Sequence, residues 1–265
     1  MHCDVAYARL IGTTLNGDKI TTRNSNCWRT LCSQVEFSTT PLVSLRKTSW
    51  KNSLREWEWF MSGSCYLSEL HPAVKSWWEP WADENGRIAH NYSQQFRRFY
   101  GEKDFVDQIH LLIQGICDHP YSRRNVITTW NTADMNAPEC PITNCHGTVI
   151  QAFVDPNNQL TLVMYQRSVD VICGLPHNWI QYWAFLLWLA HSTQRQVGKF
   201  IWIGGDIHVY EQHLPLALRM ITQDPEPIKT PNLVYTPTSA QFKADDFTLD
   251  AEYQPLIVER AEMVV

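Results

Sequence analysis

The stretch NWIQYWAFLLWLAHS, residues 178–192, is apolar at nearly every position. A surface helix keeps a polar face, and this segment has almost none, so it predicts a helix buried on most sides. Such a helix needs a layer to lie against, and the flanking sequence supplies one. Downstream, KFIWIGGD (199–206) reads as a buried strand ending in a Gly pair. Upstream, TVIQAFV (148–154) and LTLVMYQRS (160–168) flank DPNNQ, whose turn-forming residues predict a hairpin. Further out, TSWKNSLREWEWFM (48–61) carries an apolar stripe at helical spacing and stops at Ser62-Gly63. DFVDQIHLLIQGICD (104–118) repeats that pattern after an acidic start, and NVITTWN (125–131) is rich in β-branched and aromatic residues and reads as a strand. Strands with long helices against them predict an α+β fold. No internal repeat, low-complexity tract or Gly/Ser linker interrupts residues 1–265, which are expected to form a single domain.

Composition narrows the function. Of the 265 residues 44% are apolar, enough for a sizeable core, and the formal net charge is -5. That balance gives no basic face for a nucleic-acid polymer, whose binding relies on many Lys and Arg contacts to phosphate. A free nucleotide needs only a few arginines. No run of about 18 apolar residues exists to span a bilayer. MHCDVAYARL lacks the charged start and apolar stretch of a signal peptide. The expectation is a cytoplasmic protein with no membrane and no nucleic-acid polymer among its partners.

Eight cysteines occur, at 3, 27, 32, 65, 117, 140, 145 and 173. A reducing compartment argues against disulfides. There is no Cys-x-x-Cys, and Cys145 and His146 are adjacent rather than spaced to share one ion, so no metal site is expected. Most of these cysteines read as buried small apolar residues. The pair in CPITNCHGTVIQAF (140–153) leaves room for one nucleophile. Polar residues in YQRS and GGDIHVY fall at the ends of apolar strands, where they either cap the strands at the surface or line a cleft.

Six segments then occur in one order: WWEPWADENG (77–86), YSRRNVITTWN (121–131), NCH (144–146), YQRSVDV (165–171), GLPHNW (174–179) and GGDIHVYEQH (204–213). Their residues and spacing resemble the thymidylate synthases and the related pyrimidine nucleotide hydroxymethylases, from about Arg23 to the C-terminus. The resemblance implies a mixed sheet packed against long helices, with one sheet face used for dimerisation. It also implies one-carbon transfer from 5,10-methylenetetrahydrofolate to carbon 5 of dUMP, without a metal. Cys145 matches the nucleophile, whose thiolate adds to ring carbon 6 and makes carbon 5 reactive. A free thiol has a pKa of about 8.5 and needs positive neighbours to ionise; Arg167 matches the arginine beside both thiolate and phosphate. Arg23, Arg123, Arg124, Arg167 and Ser168 match the phosphate clamp, where guanidinium forks suit a dianion, and Gln166 joins the substrate-binding set. Arg123 and Arg124 are implied to reach into the partner's site, so the active unit would be a homodimer. Asn178 matches the residue that reads the pyrimidine edge. The cytidylate hydroxymethylases have an aspartate there, so dUMP is expected over dCMP. His208 and Tyr210 match the pair on the 3′-hydroxyl, and Asp170 lies near pyrimidine and pterin. Glu56 matches the glutamate that organises relay waters, Tyr92 the tyrosine that helps remove the carbon 5 proton, and His146 the residue beside the nucleophile. Trp78, Trp81, Gly174 and Val265 are implied on the folate side.

Several positions depart from the synthase pattern. The phosphate loop RTGTGT becomes RNSNCW (23–28), GPVYG becomes AHNYS (89–93), proline before the nucleophile becomes Asn144, and a tryptophan becomes Phe96. The Asn-Tyr order is similar to phage hydroxymethylases. Added polar groups near the nucleophile suit a water, so the expected product is 5-hydroxymethyl-dUMP. The tail AEMVV resembles the synthase terminus that closes over folate and keeps water out, which favours dTMP with dihydrofolate instead. A third reading, an inactive nucleotide-binding relative, has no need of Cys145.

Overall fold

The computed structural model describes residues 2–100, 104–137, 144–225 and 229–264. Helix α1 (Cys3–Leu15) leads through β1 (Asp18–Thr21) and β2 (Asn26–Phe37) to α2 (Trp50–Ser62). Three short 3₁₀ turns between residues 67 and 81 precede α3 (Tyr92–Arg97) and α4 (Gln108–Asp118). Then come β3 (Val126–Ile127), β4 (Val149–Val154), β5 (Gln159–Asp170), α5 (Leu175–Ser192), β6 (Gln196–Tyr210) and α6 (Leu214–Ile221). A small pair, β7 (Leu233–Tyr235) and β8 (Phe247–Leu249), follows. The main sheet has six strands in the order β1-β2-β6-β5-β4-β3. Only β5 and β6 run parallel, so the sheet is mixed. A parallel pair needs a crossover, and α5 is that crossover.

The helix predicted over 178–192 begins at Leu175, with Pro176 in its first turn, where a missing N–H leaves no bond unmade. Trp179, Tyr182 and Phe185 on it are fully buried. Trp179 packs edge-on against Phe37 at 4.8 Å and Trp202 at 5.8 Å, which fixes α5 on the sheet. Helix α2 stops where Ser62-Gly63 predicts, because Gly63 takes the left-handed conformation at φ 83°. The helix predicted over 104–118 starts later, at Gln108, because the Asp107 carboxylate accepts from the His110 N–H at 2.9 Å and caps it there. The strand predicted over 125–131 is reduced to Val126–Ile127. Beyond it the Thr128 hydroxyl donates to the Thr148 carbonyl at 2.7 Å and Thr129 to Gly147 at 3.1 Å, so these side chains hold the chain in a bend. The hairpin forms as predicted, Asp155 accepting from the N–H groups of Asn157 and Gln159.

One sheet face carries Ile150, Ala152, Leu162 and Met164 into the core. The opposite face leaves Val149, Phe153 and Tyr165 exposed. The cysteines depart from expectation. Cys3 and Cys27 are buried, but Cys32 and Cys117 are exposed, and Cys65, Cys145 and Cys173 lie between. Cys140 falls outside the described residues.

Candidate active site

A cleft of about 690 Å³ is lined by α2, the 3₁₀ turns, the start of α5 and the last residues of the chain. Glu56, Trp78 and Trp81 form one wall; Tyr92, Cys145 and His146 form another, with Gly174 and Asn178 at the start of α5.

Cys145 sits just upstream of β4, and β5 holds its loop from the other side. The Arg167 N–H donates to the Cys145 carbonyl at 3.0 Å, and Arg167 Nε donates to the Asn144 carbonyl at 3.0 Å. The guanidinium also lies over the Trp130 ring, 5.0 Å from its centre. Two residues on, Gly147 adopts φ 59°, and a side chain there would meet the Tyr182 hydroxyl at 2.2 Å. Only glycine lets the chain turn so close to α5. The Tyr92 hydroxyl accepts the Cys145 N–H at 2.8 Å and the His146 N–H at 3.4 Å, and lies 3.3 Å from Cys145 Sγ. With two N–H groups on its oxygen, its own proton is free to point at the sulfur. Burial and the neighbouring thiol raise the Tyr92 pKa well above the usual phenol range, so this hydroxyl keeps its proton. His146 stacks on the Tyr92 ring at 4.0 Å, and its Nδ1 is 3.0 Å from the Tyr182 hydroxyl. Burial lowers its pKa to about 3, which leaves it neutral.

A continuous hydrogen-bonded chain crosses the floor. Trp202 Nε1 donates to Gln166 at 2.9 Å, and Gln166 Nε2 donates to Asn178 Oδ1 at 2.9 Å. Asn178 Nδ2 donates to Gln181 at 3.3 Å, Gln181 Nε2 to Glu56 Oε2 at 2.6 Å, and Trp78 Nε1 to Glu56 Oε1 at 2.5 Å. Asn178 thereby keeps one amide hydrogen and one lone pair with which to donate to and accept from a ligand. Burial raises the Glu56 pKa to about 7, against the two hydrogen bonds that lower it, so the carboxyl both takes and gives a proton near neutrality.

The parallel register sets Ser168 beside Asp206 and Asp170 beside His208. His208 Nδ1 is 2.9 Å from Asp206, which Arg29 also holds at 3.3 Å, and its ring lies 4.8 Å from Tyr210. Asp170 Oδ1 accepts from the N–H groups of Ile172 and Cys173. Arg23 stands on the exposed turn between β1 and β2; Asn26, Cys27 and Trp28 of the expected phosphate loop already belong to β2. Arg123 and Arg124 are exposed on the turn after α4 and do not line this cleft. The chain's final segment runs alongside Arg46, and its Val258, Ala261 and Met263 line the cleft; Val265 falls outside the described residues.

The model of the family described as thymidylate synthase matches residues 9–265. The chain belongs to the thymidylate synthase family. Membership carries folate-dependent one-carbon transfer to dUMP, with methylenetetrahydrofolate as donor. The cleft fits a planar donor, because Trp77, Trp78 and Trp81 offer apolar ring surface beside Cys145. Among the described residues no helix is long and apolar enough to cross a membrane. His2, Cys3 and Asp4 bring ligand atoms within 4.8 Å of one another, but none of the three lines the cleft. Gln181, Trp130 and Asp206 were not foreseen as site residues. Gln181 gives a weak signal as an isolated amide in an apolar helix, and Asp206 one as a polar residue at the end of an apolar strand, two residues before its partner His208; Trp130 gives none, since Arg167 is distant in sequence.

Proposed function

We propose that this thymidylate synthase family member is a deoxyuridylate hydroxymethylase, and that residues 1–265 form its one catalytic domain. Two buried polar atoms carry the reading, on residues that adjoin Tyr92 and Cys145 in the chain but do not themselves line the cleft. Asn91 Nδ2 and Asn144 Oδ1 have no hydrogen-bond partner among the described residues. Asn91 is fully buried and adjoins Tyr92; Asn144 is 4% exposed and adjoins Cys145. Leaving such groups unpaired costs about 1–3 kcal/mol each, and a water is the natural partner for both. Adjoining Asn91 in the chain, His90 Nδ1 lies 2.9 Å from Asp134, so the segment before Tyr92 carries a further polar pair.

In this reading Cys145 Sγ bonds to dUMP carbon 6 while Arg167 and Tyr92 favour its thiolate. Asn178 reads the ring, His208 and Tyr210 take the 3′-hydroxyl, and Ser168 with the arginines takes the phosphate. Glu56 moves the relay proton, and neutral His146 holds Tyr92 in place by stacking. Methylenetetrahydrofolate supplies the one-carbon unit between Trp78, Trp81, Gly174 and Asp170. Loss of the carbon 5 proton and departure of tetrahydrofolate leave an exocyclic methylene; water adds to it as the Cys145–carbon 6 bond breaks, which frees the thiolate and gives 5-hydroxymethyl-dUMP. The exposed apolar sheet face of Val149, Phe153 and Tyr165 supports a homodimer, in which Arg123 and Arg124 reach the partner's phosphate site. The Asn-Tyr order supports a phage-type enzyme of modified-base synthesis acting in the cytoplasm.

The tail favours a second reading. Val258, Ala261 and Met263 already line the cleft and would keep water away, as a synthase making dTMP requires. Incubation with dUMP and methylenetetrahydrofolate, with products weighed by mass spectrometry, separates the two. Hydroxymethyl-dUMP without dihydrofolate supports the first; stoichiometric dTMP and dihydrofolate overturns it.

A further inference from the structure

The chain's last residues are held over the cleft by a histidine with two acceptors. His213 is 4% exposed; its Nε2 donates to the Glu262 carbonyl at 2.8 Å, while its buried Nδ1 faces Asp170 Oδ2 at 3.4 Å without a hydrogen bond being made as the two groups stand. A neutral imidazole has one N–H. With that N–H on Glu262, a bare nitrogen lone pair faces the Asp170 carboxylate. With it on Asp170, the tail loses its donor. Only the imidazolium satisfies both.

We propose that His213 is a positioning residue that ties tail docking to Asp170 by taking up a proton, so that the folate-side cover closes best when this imidazole is doubly protonated. The step is a proton transfer from solvent to Nδ1, with no other bond made or broken. Burial alone would pull the imidazole pKa down, but Asp170 beside it and the Glu262 carbonyl hold it above its ordinary value. The other groups facing it are Arg46, whose Nη2 donates to the Ile172 carbonyl, and Tyr210, whose ring is 6.3 Å away. On the tail, Glu259 is occupied by Arg219.

The inference rests on the reading that this cleft takes the folate, but its test does not need turnover. In the free full-length protein, hydrogen exchange at residues 258–264 should accelerate as pH rises through the His213 titration, after correction for intrinsic exchange. ¹⁵N imidazole shifts should show His213 doubly protonated in the protected form. His213→Gln keeps a donor for Glu262 without a titrating nitrogen, so its tail protection should not vary with pH. In that variant the KM for methylenetetrahydrofolate should rise roughly tenfold, the worth of one charge-assisted hydrogen bond, with the KM for dUMP unchanged. A neutral His213 under a protected tail, or tail protection with the same pH dependence in His213→Gln, overturns the proposal. The wild-type measurements decide it even if the variant does not fold.

Discussion

The two walls of the cleft handle polar groups differently. On the base-reading side every step from Trp202 through Gln166, Asn178 and Gln181 to Glu56 and Trp78 is hydrogen-bonded. On the nucleophile side Asn91 Nδ2, Asn144 Oδ1 and Gln95 Oε1 are buried without partners among the described residues. A satisfied network fixes one arrangement and rejects ligands that would leave it unpaired. A wall with uncommitted donors and acceptors accepts a guest. Under the proposed function the first selects the substrate, and the second governs what becomes of it.

The largest effect should come from the nucleophile wall. Cys145→Ser is expected to lower turnover by about 10⁴-fold or more and to abolish the covalent adduct with 5-fluoro-dUMP; turnover near the wild-type rate removes Cys145 from its role. On the reading wall, Asn178→Asp should cut kcat/KM for dUMP roughly a hundredfold and admit dCMP, because a carboxylate matches the other base edge. Continued strict rejection of dCMP by the variant would count against Asn178 as the reader. The contrast sharpens with Asn91→Val combined with Asn144→Pro, which should raise the dTMP fraction severalfold. Asn91 also caps α3, its carbonyl oxygen accepting from the Gln94 N–H at 3.0 Å, so the double variant should lose about 1 kcal/mol of stability. Product ratio is the decisive readout there, and an unchanged ratio breaks the comparison.

A further effect, on stability and not on turnover, concerns the carboxyl that ends the reading network. Burial raises Glu56 from its ordinary 4.5 to about 7, so between those values the folded state holds a proton that the unfolded chain has released. Stability therefore falls as pH rises across that window, by at most about 3 kcal/mol. Glu56→Gln should remove that slope, measurable as denaturant midpoints at pH 5 and pH 7. An unchanged slope in Glu56→Gln would mean that Glu56 ionises normally.

Burial patterns made the central fold legible. Helix α5, the β4–β5 hairpin and the end of α2 follow from apolar runs and turn residues that act locally. Strand β2 is not legible, because its exposed positions carry Leu31, Cys32, Gln34 and Glu36, which blur a period of two. Residues 125–131 read as a longer strand than they form, because Thr128 and Thr129 favour strands by type but here spend their hydroxyls on backbone carbonyls. In the cleft, the motif residues were legible as a set. Gln181, which joins Asn178 to Glu56, was not, because two of its three bonds, to the Ser53 carbonyl and to Glu56, reach residues far away in sequence.

The crossover through α5 has a consequence for inheritance. Gln166, Arg167, Ser168, Asp170, Asn178, Gln181, Trp202, His208 and Tyr210 all lie on one uninterrupted run from β5 to β6. On the opposite side Asn91 and Tyr92 come from the start of α3, and Trp130 and Asn144 from loops. Under the proposed function, the groups that read base, sugar and phosphate can thus pass between lineages in a single recombination event, whereas those around the transferred carbon lie on separate segments.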